Sequence, residues 1–304
     1  MTGKRKAIVT GGAGFIGSHL TEALVDAGFE THVVDNYAGG RREDRVIPGA
    51  EYHEADVCDT EALLPVFADA YCIFHEAALP RVQYSIEHPV ETFAVNAGGT
   101  ISILDAAKRA GARRVIYAAS SSAYGDQETL PLSETLPPSP KSPYGLQKYL
   151  GELALRTWTD VYGLPTVSLR YFNVYGPRLD PDGAYALVVG KFLKQRSQGL
   201  PLTIWGDGTH TRDFTHVSDI VRANLLAMDS ERVGKGEVIN IGAGRDVTVN
   251  RIAEMIGGPV IHEPERVEPK FTRADNRLAK ELLGWEPAVV LEDGVAELKR
   301  IFKV

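Results

Sequence analysis

Tyr144 and Lys148 stand four residues apart at the start of a stretch with helical periodicity. At 100° per residue the two side chains leave the helix within about 40° of each other. An ammonium one turn below a phenol can stabilise the phenolate. Bringing that phenol from about 10 to near 7 needs about 4 kcal/mol of differential stabilisation. Three hydroxyls, Ser120, Ser121 and Ser122, follow the β-rich run 115–119, just past a strand's carboxyl end, where open α/β sheets bind ligands. Leu146, Leu150, Leu153, Ala154, Thr157 and Val161 form one apolar stripe centred roughly 230° round from Tyr144. The expectation is a helix that buries this stripe in the core and carries Tyr144 and Lys148 on its other side.

A second group of residues suits a phosphate. Gly11, Gly14 and Gly17 lie between a strand ending at Thr10 and a helix beginning near Ile16. In that context the first glycine permits a tight turn, the second lets backbone approach a pyrophosphate, and the third lets helix and strand pack closely. The anion then rests on the N–H groups of the helix N-terminus, at Phe15 and Ile16. Asp35, followed by Asn36, ends the next strand 18 residues past Gly17. A carboxylate there accepts both ribose hydroxyls and repels a 2′-phosphate, which favours NAD over NADP.

The elements that must position these groups alternate strand and helix. Runs at 7–10, 31–35, 51–54, 72–75, 115–119 and 167–170 read as strands. Helices near 16–27, 60–68, 90–110 and 144–162 separate them, which implies right-handed crossovers and a parallel sheet. After Asn173 the pattern loosens: a helix at about 185–198, a strand at 201–205, turn-rich stretches at 206–208 and 242–244, and a tail of small helices and Pro-rich loops. The expected architecture is α/β, a Rossmann-type doubly wound parallel sheet with a smaller C-terminal substrate-binding α/β lobe. Residues 1–173 would form the NAD-binding domain and 174–304 mainly the substrate-binding domain, with some segments returning to the sheet.

Composition excludes several classes. The 304 residues carry 33 Lys and Arg against 40 Asp and Glu, a net charge of −7. That balance gives no electrostatic reason to bind nucleic acid or an anionic membrane. Cys58 and Cys72 cannot make a disulfide framework and form no Cys-x-x-Cys pair, which favours a reducing cytoplasm. No apolar run reaches about 18 residues, and the N-terminus does not read as a signal peptide. No metal-ligating set is assigned.

Taken with TGGAGFIGSHL (10–20), Asp56-Val57, His75-Glu76-Ala77-Ala78, SSSAYGD (120–126), SPYGLQK (142–148), RYFNVYGPR (170–178), RDFTHVSD (212–219) and LLGWEP (282–287), the chain resembles the extended short-chain dehydrogenase/reductase family. Within it the resemblance is to the NAD-dependent nucleotide-sugar 4-epimerases, the UDP-glucose/UDP-N-acetylglucosamine group, and it covers essentially the whole chain. The resemblance implies Ser120, Tyr144 and Lys148 as catalytic residues, with Lys148 also holding the nicotinamide ribose. It implies adenine contacts at Asp56 and Val57, and places Ala77 and Asn96 along the cofactor. His75 reads as a packed or hydrogen-bonded histidine. The implied reaction is removal and return of the C4 hydrogen of a UDP-hexose through a 4-keto intermediate, with no net redox change.

Related reactions are separated by the residues after Ser120. Family dehydratases carry Asp-Glu there and the decarboxylases carry Glu where Ser122 stands, so neither reaction is expected. Ser121, Ser122, Asn173 and Arg212 are the implied substrate contacts, the last as a diphosphate arginine. Glu265 occupies the place of a second such arginine, with Arg266 displaced by one. Thr272 matches a gatekeeper that is bulky in UDP-glucose-only relatives. Its small side chain, with DPDGAYA (180–186), favours UDP-GlcNAc/UDP-GalNAc, with UDP-Glc/UDP-Gal also admitted. A UDP-glucuronate 4-epimerase, using Arg178 and the three serines on a carboxylate, is one alternative. A non-catalytic NAD- or nucleotide-sensing module is another. Relatives pair through helices corresponding to about 90–110 and 144–162, which implies a homodimer.

Overall fold

Lys6–Thr10 (β1) places Ala7 and Val9 on one face and Ile8 on the other, all fully buried. Such an unbroken apolar run marks a strand covered on both sides. In the computed structural model, which describes residues 3–181, 188–264 and 271–304, β1 leads into helix α1 (Phe15–Asp26), then β2 (Glu30–Asp35), β3 (Glu51–Glu54), α2 (Thr60–Phe67) and β4 (Ala70–His75). Three short helical pieces follow, α3 (Val82–Glu87), α4 (Pro89–Phe93) and α5 (Gly99–Arg109). After them come β5 (Val115–Ser120), α6 (Pro143–Tyr162) and β6 (Thr166–Tyr171).

The strands form one seven-stranded sheet in the order Glu237–Ile241, β6, β5, β4, β1, β2, β3, with every neighbouring pair parallel. The order reverses between β1 and β4, so a crevice opens at their carboxyl ends. This is the expected Rossmann-type α/β sheet. Helices α2, α5 and α6 cover one face, and α1 and the helix Val217–Asp229 cover the other. The smaller lobe has its own core around Phe192, Leu202, Ile204, Phe214, Ile252 and Leu298. There the strands Leu202–Trp205 and Val260–Glu263 pair in parallel.

Two features differ from the sequence reading. The seventh strand comes from the second half of the chain, at Glu237–Ile241, where no strand was placed. The helix expected over 90–110 is interrupted by a π-helical turn at Ala94–Gly98. The expected helix over 185–198 is seen as Val188–Ser197; residues 182–187, and with them most of DPDGAYA, lie outside the described residues.

The largest correction concerns α6. Its buried positions are Tyr144, Gly145, Gln147, Lys148, Gly151, Glu152 and Leu155. The apolar stripe points outward instead, with Leu146 at 44%, Leu153 at 45% and Val161 at 64% exposure. Each buried polar group on the inner face has a partner, which removes most of the penalty for taking it out of water. Lys148 Nζ donates to Ala118 O at 2.8 Å, and Gln147 Nε2 to Thr92 Oγ1 at 3.0 Å. Glu152 takes a two-pronged bond from Arg170 at 2.7 and 2.6 Å. Gly151 gives the Tyr117 ring room that any Cβ would occupy.

Candidate active site

The phosphate loop shows why its glycines are required. Gly11 has φ +71°, and a Cβ there would lie 2.7 Å from the Ala77 backbone. A Cβ on Gly14 or Gly17 would run into Gly11 O. The loop is therefore tight against both the segment that follows β4 and its own helix. Phe15 and Ile16, both half-buried, open α1 against the core. Asp35, at the carboxyl end of β2, accepts N–H bonds from Ala13 at 3.0 Å and Tyr37 at 2.8 Å, which fixes its carboxylate beside the loop. Burial pushes this carboxyl above its usual range, while those two bonds pull it back.

Asn36 donates to Asp56 at 3.1 Å, joining the ends of β2 and β3. Asp56 also accepts Cys58 N at 2.8 Å, a bond that lowers its pKa. Val57 is buried against Gly99 at the head of α5. The crevice thus offers bare helix-terminal amides for a pyrophosphate and a fixed carboxylate for a ribose, and Gly11, Gly14 and Gly17 keep it clear. This set fits a dinucleotide.

Asn96 lies in the π-helical turn with its amide fully engaged. It accepts Leu79 N at 2.7 Å and donates to Leu79 O at 3.1 Å and to Gln147 Oε1 at 2.8 Å. It holds the loop Ala77–Leu79 beside Gly11, so any influence on a cofactor is exerted through that loop. His75 is buried and bonded on both nitrogens, to Thr10 Oγ1 at 2.8 Å and Thr100 Oγ1 at 3.1 Å. Burial, helped by the charge of Lys148, drives its pKa down to about 3. It is a neutral packed histidine, as the sequence suggested.

Ser120 ends β5, and the serine turn after it packs on the start of α6. Ser122 donates twice to Ser120 Oγ, from its N–H at 3.2 Å and its hydroxyl at 2.8 Å. Ser120 is left with its own O–H to donate. A Cβ on Gly145 would lie 2.6 Å from Ser122 O, so the glycine after Tyr144 lets the serine turn and the helix meet. Ser142 caps α6 by accepting Gly145 N at 3.1 Å. Tyr144 is 7% exposed. Lys148 is buried beneath it, 4.8 Å over the Tyr117 ring. Burial lowers the Lys148 pKa to about 8, against the pull of Glu76 and Glu152.

Sequence reasoning missed three supports of this arrangement. Glu76 accepts the Tyr171 hydroxyl at 2.8 Å, and Tyr171 in turn accepts Asn224 at 2.7 Å. Burial pushes the Glu76 carboxyl up to about 7. Tyr124 donates to Asn240 at 2.7 Å, tying the serine turn to the seventh strand. The Glu152–Arg170 pair anchors α6 to β6. The first two cross an intervening strand of the sheet and the third joins a helix to the strand beneath it, so no local spacing reveals them.

On the other side of the crevice, Asn173 has φ +24°, a backbone region Asn tolerates. Its side chain donates to Asp213 O at 3.1 Å. Half-buried Arg212 and buried Asp213 follow on the facing strand and loop. Thr272 Oγ1 accepts Asp213 N at 3.2 Å, which brings Asn173, Arg212 and Thr272 to one place. Asp213 accepts N–H bonds from Ala243, Gly244 and Ala274 and so fastens this wall. Arg178 is drawn away from the role considered for it: its guanidinium holds both oxygens of Glu22 on α1 at 2.8 and 2.9 Å. Arg266 and Glu265 lie outside the described residues.

Residues 7–242 match the NAD dependent epimerase/dehydratase family. The chain belongs to this family. It is an NAD-dependent enzyme of the extended short-chain dehydrogenase/reductase type. It is similar to a putative UDP-glucose 4-epimerase of Methanocaldococcus jannaschii, 36% identical over 300 residues and 95% of each chain. The UDP-glucose 4-epimerase of Thermotoga maritima, crystallised with UDP-glucose, superimposes with a TM-score of 0.92 at 38% identity over 98% of each chain. The UDP-N-acetylglucosamine 4-epimerase of Methanobrevibacter ruminantium, crystallised with UDP-N-acetylmuramic acid, gives 0.92 at 32% identity over 99% of this chain and 98% of that one. Sugar-nucleotide decarboxylases also occur among the relatives, so the reaction must be argued from the site. Among the described residues no helix is long and apolar enough to cross a membrane.

Proposed function

We propose that this chain epimerises C4 of a UDP-hexose through a 4-keto intermediate, with UDP-GlcNAc/UDP-GalNAc favoured and UDP-Glc/UDP-Gal also accepted. The observation that carries the reading is the inner face of α6, where Tyr144 and buried Lys148 meet the serine turn that ends β5. NAD held by the glycine loop and Asp35 would supply the hydride acceptor and donor for C4. Tyr144 moves the hydroxyl proton at C4, and Lys148 supports its phenolate. Ser120, oriented by two donors from Ser122, has one O–H left to offer the same oxygen. Gly11, Gly14, Phe15, Ile16 and Gly17 would receive the pyrophosphate of NAD and Asp35 its adenosine ribose. Asn36, Asp56 and Val57 would line the adenine end, with Ala77 and the loop held by Asn96 beside them.

Decarboxylation is disfavoured because Ser122 spends its hydroxyl on Ser120 and offers no acid. A glucuronate carboxylate is disfavoured because Arg178 is paired with Glu22. The small, half-buried Thr272 beside Arg212 and Asn173 supports the reading of an open sugar pocket. The division of labour at about residue 173, a homodimer and a cytoplasmic setting belong to the same proposal. NMR of UDP-Glc, UDP-GlcNAc and UDP-GlcA with the purified enzyme tests it. Interconversion of UDP-GlcNAc and UDP-GalNAc is expected. Turnover of UDP-Glc alone removes the gatekeeper argument, and loss of carbon dioxide from UDP-GlcA removes the epimerase reading.

A further inference from the structure

The outer edge of the sheet carries a cluster with no part in the chemistry above. In the parallel register of β2 and β3, His32 lies opposite Glu51 and Val34 opposite His53, so residues two apart on each strand share one face. His32, Glu51 and His53 converge there, each offering one ligand atom, all within 4.8 Å of one another. His32 Nδ1 lies 2.9 Å from His53 Nε2 and 3.8 Å from Glu51 Oε2, and His53 Nε2 lies 3.6 Å from Glu51 Oε1. Ligands about 2.0–2.1 Å from a tetrahedral ion stand about 3.3 Å apart; the two nitrogens are somewhat closer than that, and each Glu51 oxygen stands within about half an ångström of that spacing from one of them.

We propose that His32, His53 and Glu51 bind one first-row divalent transition ion, of the zinc, cobalt or nickel class, at the β2–β3 edge. Two imidazoles and a carboxylate suit these ions and do not suit magnesium or calcium. The independent support is the far side of His32. Its Nε2 faces Glu30 Oε1 at 3.1 Å, an arrangement that leaves Nδ1 bare and aimed at His53. Without an ion, Nδ1 accepts the proton on His53 Nε2; the ion takes that proton's place, and His53 turns to its other tautomer. Lys6 is the cation that acts on His53 among the described residues, and its ammonium is held by Ala68 O at 3.1 Å. Together with Glu30 and Glu51 it leaves the site a net charge of −1. His32 is buried, while Glu51 is exposed and gives the ion a way in. The ion would clamp β3 to β2, the two strands whose ends carry Asp35 and Asp56.

Calorimetric titration of the chelator-stripped, NAD-loaded enzyme with Zn²⁺, and visible spectra with Co²⁺, test this directly. One saturable equivalent and a raised melting temperature are expected. His53→Gln should weaken binding at least ~100-fold, and Glu30→Gln, which touches no ligand atom of the ion, about 10–100-fold. His262→Gln, at a histidine of the smaller lobe, should leave binding unchanged. Melting of every variant in excess chelator separates lost binding from lost folding. The proposal falls if the wild type shows no saturable equivalent below about 1 mM, if His53→Gln binds as the wild type does, or if His262→Gln abolishes binding.

Discussion

The two faces of α6 exchange the roles their residue types would assign. The face toward the sheet is polar, holding Tyr144, Gln147, Lys148 and Glu152, and every one of these is buried. The face toward solvent is apolar and is continued by Val82, Ile86, Val90 and Phe93 on α3 and α4 and by Ile101 on α5, all exposed. A hydrophobic stripe reports which side of a helix gains from leaving water; it does not say whose surface covers it. The inner face is stable because each polar group is matched to a specific partner. The outer face has no such matching within the described residues; it is left exposed.

The largest effect should come from the inner face at Tyr144. Tyr144→Phe removes the proton carrier and keeps the ring, so NMR turnover of the favoured UDP-sugar should fall about 10²–10⁴-fold. NAD identified after denaturation should stay at wild-type occupancy. Unchanged turnover would end the catalytic assignment. Next in size is Glu152→Ala, which leaves Arg170 buried and unpaired at a site about 3% exposed. Breaking such a pair costs about 3–5 kcal/mol, readable as a lower urea midpoint. The double change Glu152→Met with Arg170→Met should cost less than the single one. A single change as mild as the double would show that the pair does not anchor the helix.

A smaller and graded effect belongs to Lys148. Its pKa in the folded chain is lowered to about 8, so its ammonium is present below that pH and lost above it. Epimerase activity should therefore decline as pH rises through about 8, and Lys148→Met should remove that limb along with most of the rate. The stability term has the opposite sense. Between about 8 and the ordinary lysine value the unfolded chain binds the extra proton, so this group's contribution to stability rises with pH there. Urea midpoints of wild type and Lys148→Met, compared across that window without added substrate, isolate the term. A difference that does not change with pH would refute the burial of a titrating Lys148.

How much of this was legible in the sequence depends on whether the signal was local. The glycine loop, Asp35 and the Tyr144–Lys148 spacing are contained in single turns or strand ends, and β1, β4 and β5 carry apolar runs of their own. Glu76 with Tyr171, Glu152 with Arg170, and Tyr124 with Asn240 join residues 18 to 116 positions apart. Glu152 meets Arg170 through the packing of α6 on β6, and the other two pairs meet through the sheet order. The strand Glu237–Ile241 is not legible locally, because five residues of mixed polarity between two glycine-rich turns carry no distinct period. The same logic applies to His32, Glu51 and His53: β2–β3 register creates the cluster, and the linear spacing does not announce it.

The smallest intramolecular effect, and the one that separates the two faces of α6 most cleanly, is expected on the outer side. Val90 is 83% exposed and Leu153 45%, so neither contributes much to the chain's own core. Val90→Glu with Leu153→Glu should change the stability of the isolated chain by no more than about 0.5 kcal/mol per site. The same pair should convert a dimer to a monomer in light scattering, because two carboxylates in an apolar interface are left without water or counter-charge. NAD occupancy should persist, since Gly11, Asp35 and Lys148 lie on the opposite side of the helix layer. A wild-type enzyme that is monomeric at working concentration would leave this stripe without its proposed cover. A double variant that unfolds as a monomer would mean that the outer stripe supports the chain itself and that the contrast between the faces is one of degree.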